Sequence, residues 1–454
     1  MEGTPPRKVH AGFLDELKKI EDAVAKAQDV LDREAAGDQD IQFAINIVER
    51  FLRRRGRICY GGQAINAHLP RAMKFYDPET SVPDYDFLTP NADADIKEIV
   101  ADFRAEGYRN ISVRMGMHEG TTKIYVEYIP VADVTEIHEG LYKILSKKSV
   151  KIDGIHYIDV NTLRMMMYLE LSRPRGEVGR WSKVYERLSL LNAARPIHTG
   201  HCATDLGLGT PEGRYAIDGD DFNKIVHFLI ENKRILVGAA AVDYYRKLEG
   251  KKRTHVAHWL FSRKKPVIFY SPNIRADLDE LNGRLNGAKK MHMEVIESVG
   301  EFIPKVGLLY VGGTAAAGPR RLVAAAVQQT ACHAYITAAV NFHGDEKILR
   351  IGSMDTLATL YLSLMLSPVL EKKLRAPLLC MAQAVVEMGM RLRRRGATTR
   401  VPFISLRCEG HQPRLQSLLR EKVERIRRAK EEGSSSRRSN SKLTRKTKKH
   451  RHAN

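Results

Sequence analysis

The sequence of 454 residues predicts a mixed α/β (α+β) protein in which two related α/β units follow an N-terminal helical region. Apolar residues recur at helical spacing through residues 12–55. The apolar run Ile58-Cys59-Tyr60 then meets Gly61-Gly62 and a helical segment, the pattern of a strand, a tight turn and a helix. A similar pattern begins again at Arg234, which indicates a second copy of the unit.

The N-terminal region is predicted to form two helices. Their apolar faces carry Phe13, Leu14, Leu17, Ile20 and Val24 in the first helix, and Ile41, Ala44, Ile45, Val48 and Leu52 in the second. The second helix should end at Gly56 after three consecutive arginines. Basic residues in a last helical turn complement the helix dipole, and we favour this role over a contact with nucleic acid.

Gly61 and Gly62 open the next predicted helix and are candidates for phosphate binding. Glycine lacks a Cβ atom, so the backbone N–H groups can approach a phosphate closely, and the helix N-terminus adds partial positive charge. A Gly-Gly pair before a helix is more often only a tight turn, so the motif alone does not decide between the two roles.

Asp84 and Asp86 lie in a short extended segment, Asp84-Tyr85-Asp86-Phe87-Leu88. Residues two apart on a strand project from the same face, roughly 7 Å from Cα to Cα. Two carboxylates on one face repel each other unless cations lie between them, and a pair of Mg²⁺ ions does this where phosphates bind. The alternative is a solvated strand edge.

Asp133 lies near the end of one predicted strand over residues 122–134. Its neighbours in Ile129-Pro130-Val131-Ala132-Asp133-Val134 are apolar, and a buried carboxylate needs a partner. The partner is either an arginine or the metal ions proposed for Asp84 and Asp86.

Further along the chain, Lys183 and Arg187 share one side of a predicted helix, where they would bind a triphosphate or remain solvated.

The second unit repeats the order of the first without its acids. Arg57-Ile58-Cys59-Tyr60-Gly61 corresponds to Arg234-Ile235-Leu236-Val237-Gly238, and Asp84-Tyr85-Asp86 corresponds to Pro266-Val267-Ile268. A third match sets Asn161-Thr162-Leu163 against Asp355-Thr356-Leu357. Because the apolar pattern persists where the acids are lost, we expect the second copy to be structural, or to bind RNA or a partner subunit.

The composition argues against a membrane protein and favours a polyanionic partner. No apolar run is long enough to span a membrane and the N-terminus lacks a secretory signal, so the expected location is intracellular. Of the net charge of +20, eight basic residues lie in the acid-free tail 433–454, which leaves +12 elsewhere. We expect the tail to be disordered and to bind RNA or act as a nuclear signal.

The five cysteines are widely spaced, and no Cys-x-x-Cys pair suggests zinc or a redox couple. We expect reduced thiols that are buried as small hydrophobic side chains. The cysteines are Cys59, Cys202, Cys332, Cys380 and Cys408.

The motifs together resemble the nucleotidyltransferase superfamily and, within it, the poly(A) polymerase catalytic subunits of poxviruses and giant DNA viruses. The matching segments are Tyr60-Gly61-Gly62-Gln63-Ala64-Ile65-Asn66, Pro83-Asp84-Tyr85-Asp86-Phe87, Ile129-Pro130-Val131-Ala132-Asp133 and Arg180-Trp181-Ser182-Lys183-Val184-Tyr185. The resemblance is densest over residues 40–192. It implies a nucleotidyltransferase-fold catalytic domain, a mixed sheet flanked by helices, followed by a degenerate nucleotidyltransferase-like domain.

The resemblance also implies the chemistry, which is transfer of AMP from ATP to the 3′-OH of RNA. Asp84, Asp86 and Asp133 would be the catalytic residues and the ligands of two Mg²⁺ or Mn²⁺ ions. In-line attack on the α-phosphorus mainly needs charge stabilisation and positioning, which suits two ions about 3.5–4 Å apart. Gly61 and Gly62 would hold the phosphates, and Lys183 would hold the leaving pyrophosphate.

The expected partners are ATP and the 3′ end of single-stranded RNA, and related enzymes are similar in using either a processivity subunit or a homodimer. A viral protein of this kind would act in the host cytoplasm or the virion. Two alternatives stay open: a nucleotidyltransferase for another NTP, a tRNA end or a small molecule, and a non-catalytic RNA-binding scaffold. Candidates for the RNA path, with a solvated face favoured, are Arg391, Arg393, Arg394 and Arg395.

The expected division of the chain has five parts. These are an N-terminal helical region (1–55), the catalytic domain (56–192), a connecting segment (193–222), the degenerate C-terminal domain (223–430) and the basic tail (431–454).

Overall fold

The computed structural model describes residues 11–77, 81–116, 120–199, 219–249, 266–285, 291–312, 321–342, 345–396 and 401–412, together with Arg420, Glu424 and Arg427. The expectations for the basic tail and for most of the connecting segment lie outside these residues. No helix in the described ranges is long and apolar enough to cross a membrane.

The N-terminal region forms the two predicted helices, α1 (Ala11–Gly37) and α2 (Gln39–Arg55). Asp38 caps α2 by accepting hydrogen bonds from the N–H groups of Asp40 and Ile41, and Gly56 ends it in the left-handed conformation, with φ of 60°. The three arginines before Gly56 pair with carboxylates of α2 and of a later helix. The favoured structural role of these arginines therefore agrees with their contacts.

The first sheet has seven strands in the order β3-β4-β5-β2-β1-β7-β6. Its strands are β1 (Ile58–Tyr60), β2 (Tyr85–Thr89), β3 (Ile111–Met115), β4 (Thr121–Val126), β5 (Ile129–Glu136), β6 (Val150–Ile152) and β7 (Ile155–Tyr157). The helices associated with it are α3 (Gly61–His68), α4 (Ala92–Ala105), α5 (Glu139–Lys148), α6 (Val160–Leu171) and α7 (Trp181–Ala194). The strands include both parallel and antiparallel pairs, so the sheet is mixed, as predicted.

One strand prediction was wrong, because residues 122–134 form two strands, β4 and β5, instead of one. The chain reverses at Glu127 and Tyr128, which both have positive φ, of 47° and 70°. Two such residues make a tight hairpin turn, but asparagine and glycine are the usual residues there. The sequence therefore lacked the ordinary turn signal.

The second sheet has eight strands in the order β10-β11-β12-β9-β8-β14-β13-β15. Its strands are β8 (Ile235–Val237), β9 (Val267–Ser271), β10 (Met291–Ile296), β11 (Val306–Val311), β12 (Arg321–Gln328), β13 (His333–Phe342), β14 (Asp345–Gly352) and β15 (Cys408–Glu409). The helices here are α8 (Gly219–Glu231), α9 (Gly238–Glu249), α10 (Ile274–Leu285), α11 (Met354–Leu364) and α12 (Pro368–Arg394).

The two sheets repeat one topology, as the sequence echo predicts. Reading from β3 to β6 gives the same succession of strand pairings as reading from β10 to β13. Even an ion pair recurs: Arg57 before β1 pairs with Asp95 of α4, and Arg234 before β8 pairs with Asp277 of α10. A topology shared at this level of detail supports two copies of one α/β unit.

The expectation of reduced thiols was wrong for part of the cysteines. Cys332 and Cys408 form a disulfide, with their Cα atoms 5.3 Å apart, and Cys380 is disulfide-bonded as well. β15 pairs with the start of β13, which brings two cysteines together across a separation of 76 residues. Cys59 is buried as a free thiol, as predicted.

Candidate active site

Asp84, Asp86 and Asp133 meet on one face of the first sheet. β2 and β5 are parallel neighbours, and Asp86 lies directly opposite Asp133 in their register. Tyr85 and Phe87 point to the other face, where Phe87 packs against Phe51 of α2 with ring centroids 5.7 Å apart. Because side chains alternate along a strand, this packing fixes Asp86 on the polar face, and Asp84 immediately precedes the strand.

The pKa values of Asp84 and Asp86 are both raised. Burial, followed by the charges of Asp84 and Asp133, raises the pKa of Asp86 to about 7. Burial and the charge of Asp133 likewise raise the pKa of Asp84. A cluster of carboxylates that is costly to ionise favours the binding of cations, because a bound cation offsets the repulsion between the negative charges.

Asp133 has a lysine as its partner, in place of the arginine considered from the sequence. Lys123 of β4 lies opposite Asp133 in the register, and its Nζ donates to Asp133 Oδ2 at 2.6 Å. Asp133 Oδ1 is buried and has no hydrogen-bond partner. One oxygen of this carboxylate is therefore held in place, and the other is left for a ligand.

These residues fit a site for Mg²⁺ or Mn²⁺, since all three donors are carboxylates, the hard oxygen ligands that such ions prefer. A bound cation would give the unpaired Oδ1 of Asp133 a partner and would stabilise the ionised form of Asp86, whose pKa is raised. Among the described residues, no group of three or more His, Cys, Asp or Glu side chains is close enough together to hold a metal ion in this arrangement.

Gly61 lies directly against the carboxylates. Its φ is +68°, and a Cβ atom at this position would collide with the carboxylate of Asp86. At Gly62, a Cβ atom would lie 2.8 Å from the Tyr76 hydroxyl oxygen and 3.0 Å from Nη1 of Arg187. No side chain caps α3 at Tyr60, so no capping side chain occupies the N–H groups of its first turn, which have no partner within the helix.

Lys183 and Arg187 reach the same region from α7. The pKa of Lys183 is lowered by partial burial and by the guanidinium groups of Arg187 and Arg180, while Asp84 and Asp86 act in the opposite direction. Arg187 Nη2 donates to the Tyr76 hydroxyl at 2.7 Å. The helix thus brings two cations close to the glycine turn and the acids.

Phe75, Tyr76 and Asn66 also contribute to this region, which the sequence reasoning missed. The guanidinium carbon of Arg187 lies 4.6 Å from the ring centroid of Phe75 and 5.4 Å from that of Tyr76. The side chain of buried Asn66 accepts from the N–H groups of Phe75 and Tyr76 and donates to the carbonyl of Tyr76. The only sequence signal was an aromatic pair between the glycine turn and Asp84.

The corresponding positions of the second sheet are apolar. Val237 lies opposite Ile268 in the register, as Tyr60 lies opposite Asp86. Ile268 pairs with Ala325, which therefore corresponds to Asp133. Gly238 has φ of +76°, and a Cβ atom there would lie 2.9 Å from Ile268, so the close turn is retained although the acids are absent.

Arg393 is not available for an RNA path, which corrects one of the four arginine candidates. Its guanidinium pairs with Asp355 of α11, and only 9% of its side chain is exposed. Arg391 pairs with Glu387 at 3.7 Å on the surface of α12. Arg394 and Arg395 lie at the exposed end of that helix.

Residues 46–177 match the model of the family described as the poly(A) polymerase catalytic subunit. Proteins that carry this name in African swine fever virus isolates from Malawi and Kenya are 24% identical over 188 residues, which is 40% of this chain and 40% of each relative. The resemblance found in the sequence is thus confirmed over this region, and the match spans less than half of the relatives' length.

A structural comparison covers more of the chain. The crystal structure of the Megavirus polyadenylate synthase superposes on 94% of this chain and 85% of its own, with a TM-score of 0.67 and 16% identity. The two proteins therefore share their fold across both sheets.

Proposed function

We propose that this protein is a template-independent polynucleotide adenylyltransferase, which adds AMP from ATP to the 3′-OH of RNA. The observation that carries the proposal is the group formed by Asp84, Asp86 and Asp133 beside the Gly61 turn, in the segment that matches the poly(A) polymerase family. The second sheet repeats the topology without the acids, so the acids are not needed for the fold.

Asp84, Asp86 and Asp133 would hold the divalent cations. When bound, these ions would supply charge stabilisation for the α-phosphate and activation of the attacking 3′-hydroxyl. The role of Lys123 would be to fix Asp133 through Oδ2, leaving Oδ1 directed at the site. The role of Gly61 would be to avoid a clash with the carboxylate of Asp86, because any other residue would place a Cβ atom in the position of that carboxylate.

The triphosphate would lie between the glycine turn and α7. The uncapped N–H groups at the start of α3 are suited to phosphate oxygens, because they carry partial positive charge and have no internal partner. Lys183 would then neutralise the charge of the departing pyrophosphate, and Arg187, held by Tyr76, would contribute a second positive charge.

We infer that the second unit is a degenerate nucleotidyltransferase-like domain, with the domain boundaries expected from the sequence.

Replacing an acid with its amide tests the proposal. Asp84→Asn, Asp86→Asn and Asp133→Asn should each reduce extension of a labelled single-stranded RNA primer by about 1,000-fold or more, since metal coordination contributes several kcal/mol to the transition state. Asp279→Asn on the exposed face of α10 is the matched control and should extend normally.

The same gel assay, run with each NTP in turn, separates the alternatives. A long ladder with ATP alone supports polyadenylation. A few added nucleotides, or a preference for another NTP, would point to a different acceptor. Full activity in the Asp86→Asn variant would refute the metal assignment, and no extension by the unmodified protein would favour a non-catalytic RNA-binding scaffold.

A further inference from the structure

A row of four charged residues crosses the first sheet at right angles to its strands. Asp86 of β2 lies opposite Asp133 of β5, Asp133 opposite Lys123 of β4, and Lys123 opposite Arg114 of β3. Residues directly opposite one another project from the same face of a sheet. The row therefore runs from the catalytic acids through two cations to the edge of the sheet, over three strand spacings or about 14 Å.

The outer end of this row combines a cation with an aromatic ring. The guanidinium carbon of Arg114 lies 5.0 Å from the ring centroid of Tyr125, which follows Lys123 on the same face of β4. Arg114 is exposed, and no carboxylate of the described residues pairs with it. An exposed arginine next to an aromatic ring is the combination on which single-stranded nucleic acids bind, through phosphate contacts and base stacking.

The second sheet provides an internal comparison. In its register Ile268 lies opposite Ala325, Ala325 opposite Leu308, and Leu308 opposite Glu294. The positions of Lys123 and Arg114 are thus occupied by leucine and glutamate. The two cations occur in the unit that has the acids and are absent from the unit that lacks them, so the topology does not require them.

We propose that Arg114 and Tyr125, with Lys123 behind them, form the binding site for the backbone and a base of the RNA primer just upstream of its 3′ end. This inference rests on the proposed function, because it assigns the acceptor strand to one side of the acids. The triphosphate would approach from the other side, where the glycine turn, Lys183 and Arg187 lie.

The test measures RNA binding without catalysis, so that it can fail separately from the proposed activity. Fluorescence anisotropy with a labelled 15-nucleotide oligo(A), without ATP or metal, gives the Kd of the full-length protein at several salt concentrations. The basic tail contributes equally to every variant, so the differences between variants report the site. Arg275→Ala on the exposed surface of α10 removes the same charge in the second unit and is the matched control.

Arg114→Ala should weaken binding about 5- to 10-fold and make the slope of log K against log salt shallower by about 0.7, the value for one phosphate contact on a single strand. Arg114→Lys should keep the slope and recover part of the affinity, because the charge remains and the stacking is lost. In a separate extension assay, Arg114→Ala should raise the KM for primer and leave the KM for ATP unchanged.

A Kd and slope for Arg114→Ala equal to those of Arg275→Ala would overturn the proposal, as would a rise in the KM for ATP alone. Oligo(A) binding that depends on Arg114 in a protein without extension activity would instead refute the proposed function and retain the RNA site.

Discussion

At the scale of single residues, the charges of the candidate site lower the free energy of unfolding. Exposed Asp84, half-buried Asp86 and buried Asp133 lie close together, and their only cationic hydrogen-bond partner among the described residues is Lys123. Burial and like charge raise the pKa of Asp86 to about 7, so that this group resists ionisation in the folded protein. Such an arrangement is unfavourable for folding and useful for holding cations, which is typical of functional sites.

Asp86→Asn tests this cost. The pKa of Asp86 is higher in the folded protein than its ordinary value of 3.8, so the folded state retains a proton that the unfolded state releases. Without metal, the wild-type free energy of unfolding should therefore fall as pH rises from about 4 to 7, relative to the variant. At pH 8 the variant should be more stable by about 2 kcal/mol or more, because one pKa unit corresponds to about 1.4 kcal/mol.

Urea unfolding in EDTA at pH 5 and pH 8 measures this difference. Added Mg²⁺ should stabilise the wild type at pH 8 more than the variant, because the metal binds only the folded state. Identical pH dependence in the two proteins would contradict the assigned origin of the shift.

At the scale of secondary structure elements, the strand, glycine turn and helix form a unit that occurs twice. Gly61 and Gly238 both have positive φ, and both have a side chain of the neighbouring strand in the space where a Cβ atom would lie. That side chain is Asp86 in the first unit and Ile268 in the second. The same backbone thus lies against a carboxylate in one copy and against an apolar side chain in the other.

Alanine at the two glycines should separate these roles. Gly61→Ala and Gly238→Ala should each lower the free energy of unfolding by about 1–3 kcal/mol, because both the strained φ and the collision must be accommodated. Only Gly61→Ala should also abolish RNA extension, since its methyl group displaces Asp86. Denaturant unfolding and the primer assay, applied to both variants, check this, and equal activity losses would contradict it.

At the scale of the whole molecule, the second unit supports the helix that carries Lys183. Tyr185 of α7 packs against Phe403 with ring centroids 5.2 Å apart, and Arg393 of α12 lies over both rings. Arg393 also pairs with Asp355, whose side chain is only 3% exposed. The buried ion pair therefore belongs to the contact between α7 and the C-terminal part of the chain.

Arg393→Ala should lower the free energy of unfolding by about 3 kcal/mol or more, because it leaves Asp355 buried without a partner. Arg394→Ala, the adjacent exposed position, should change it by less than about 0.5 kcal/mol. The KM for ATP should rise in Arg393→Ala, since α7 carries Lys183 and Arg187. Equal stabilities of the two variants would contradict the role given to this ion pair.

The sequence by itself determined the local patterns of this protein. The turn at Gly61, the common face of Asp84 and Asp86, and the repeat without acids follow from spacings of a few residues, which backbone geometry converts directly into structure. Strand pairing joins distant parts of the chain, so tertiary structure alone decided the register that brings Asp133 beside Asp86 and Lys123 beside Asp133. It likewise decided the Cys332–Cys408 disulfide and the burial of Arg393.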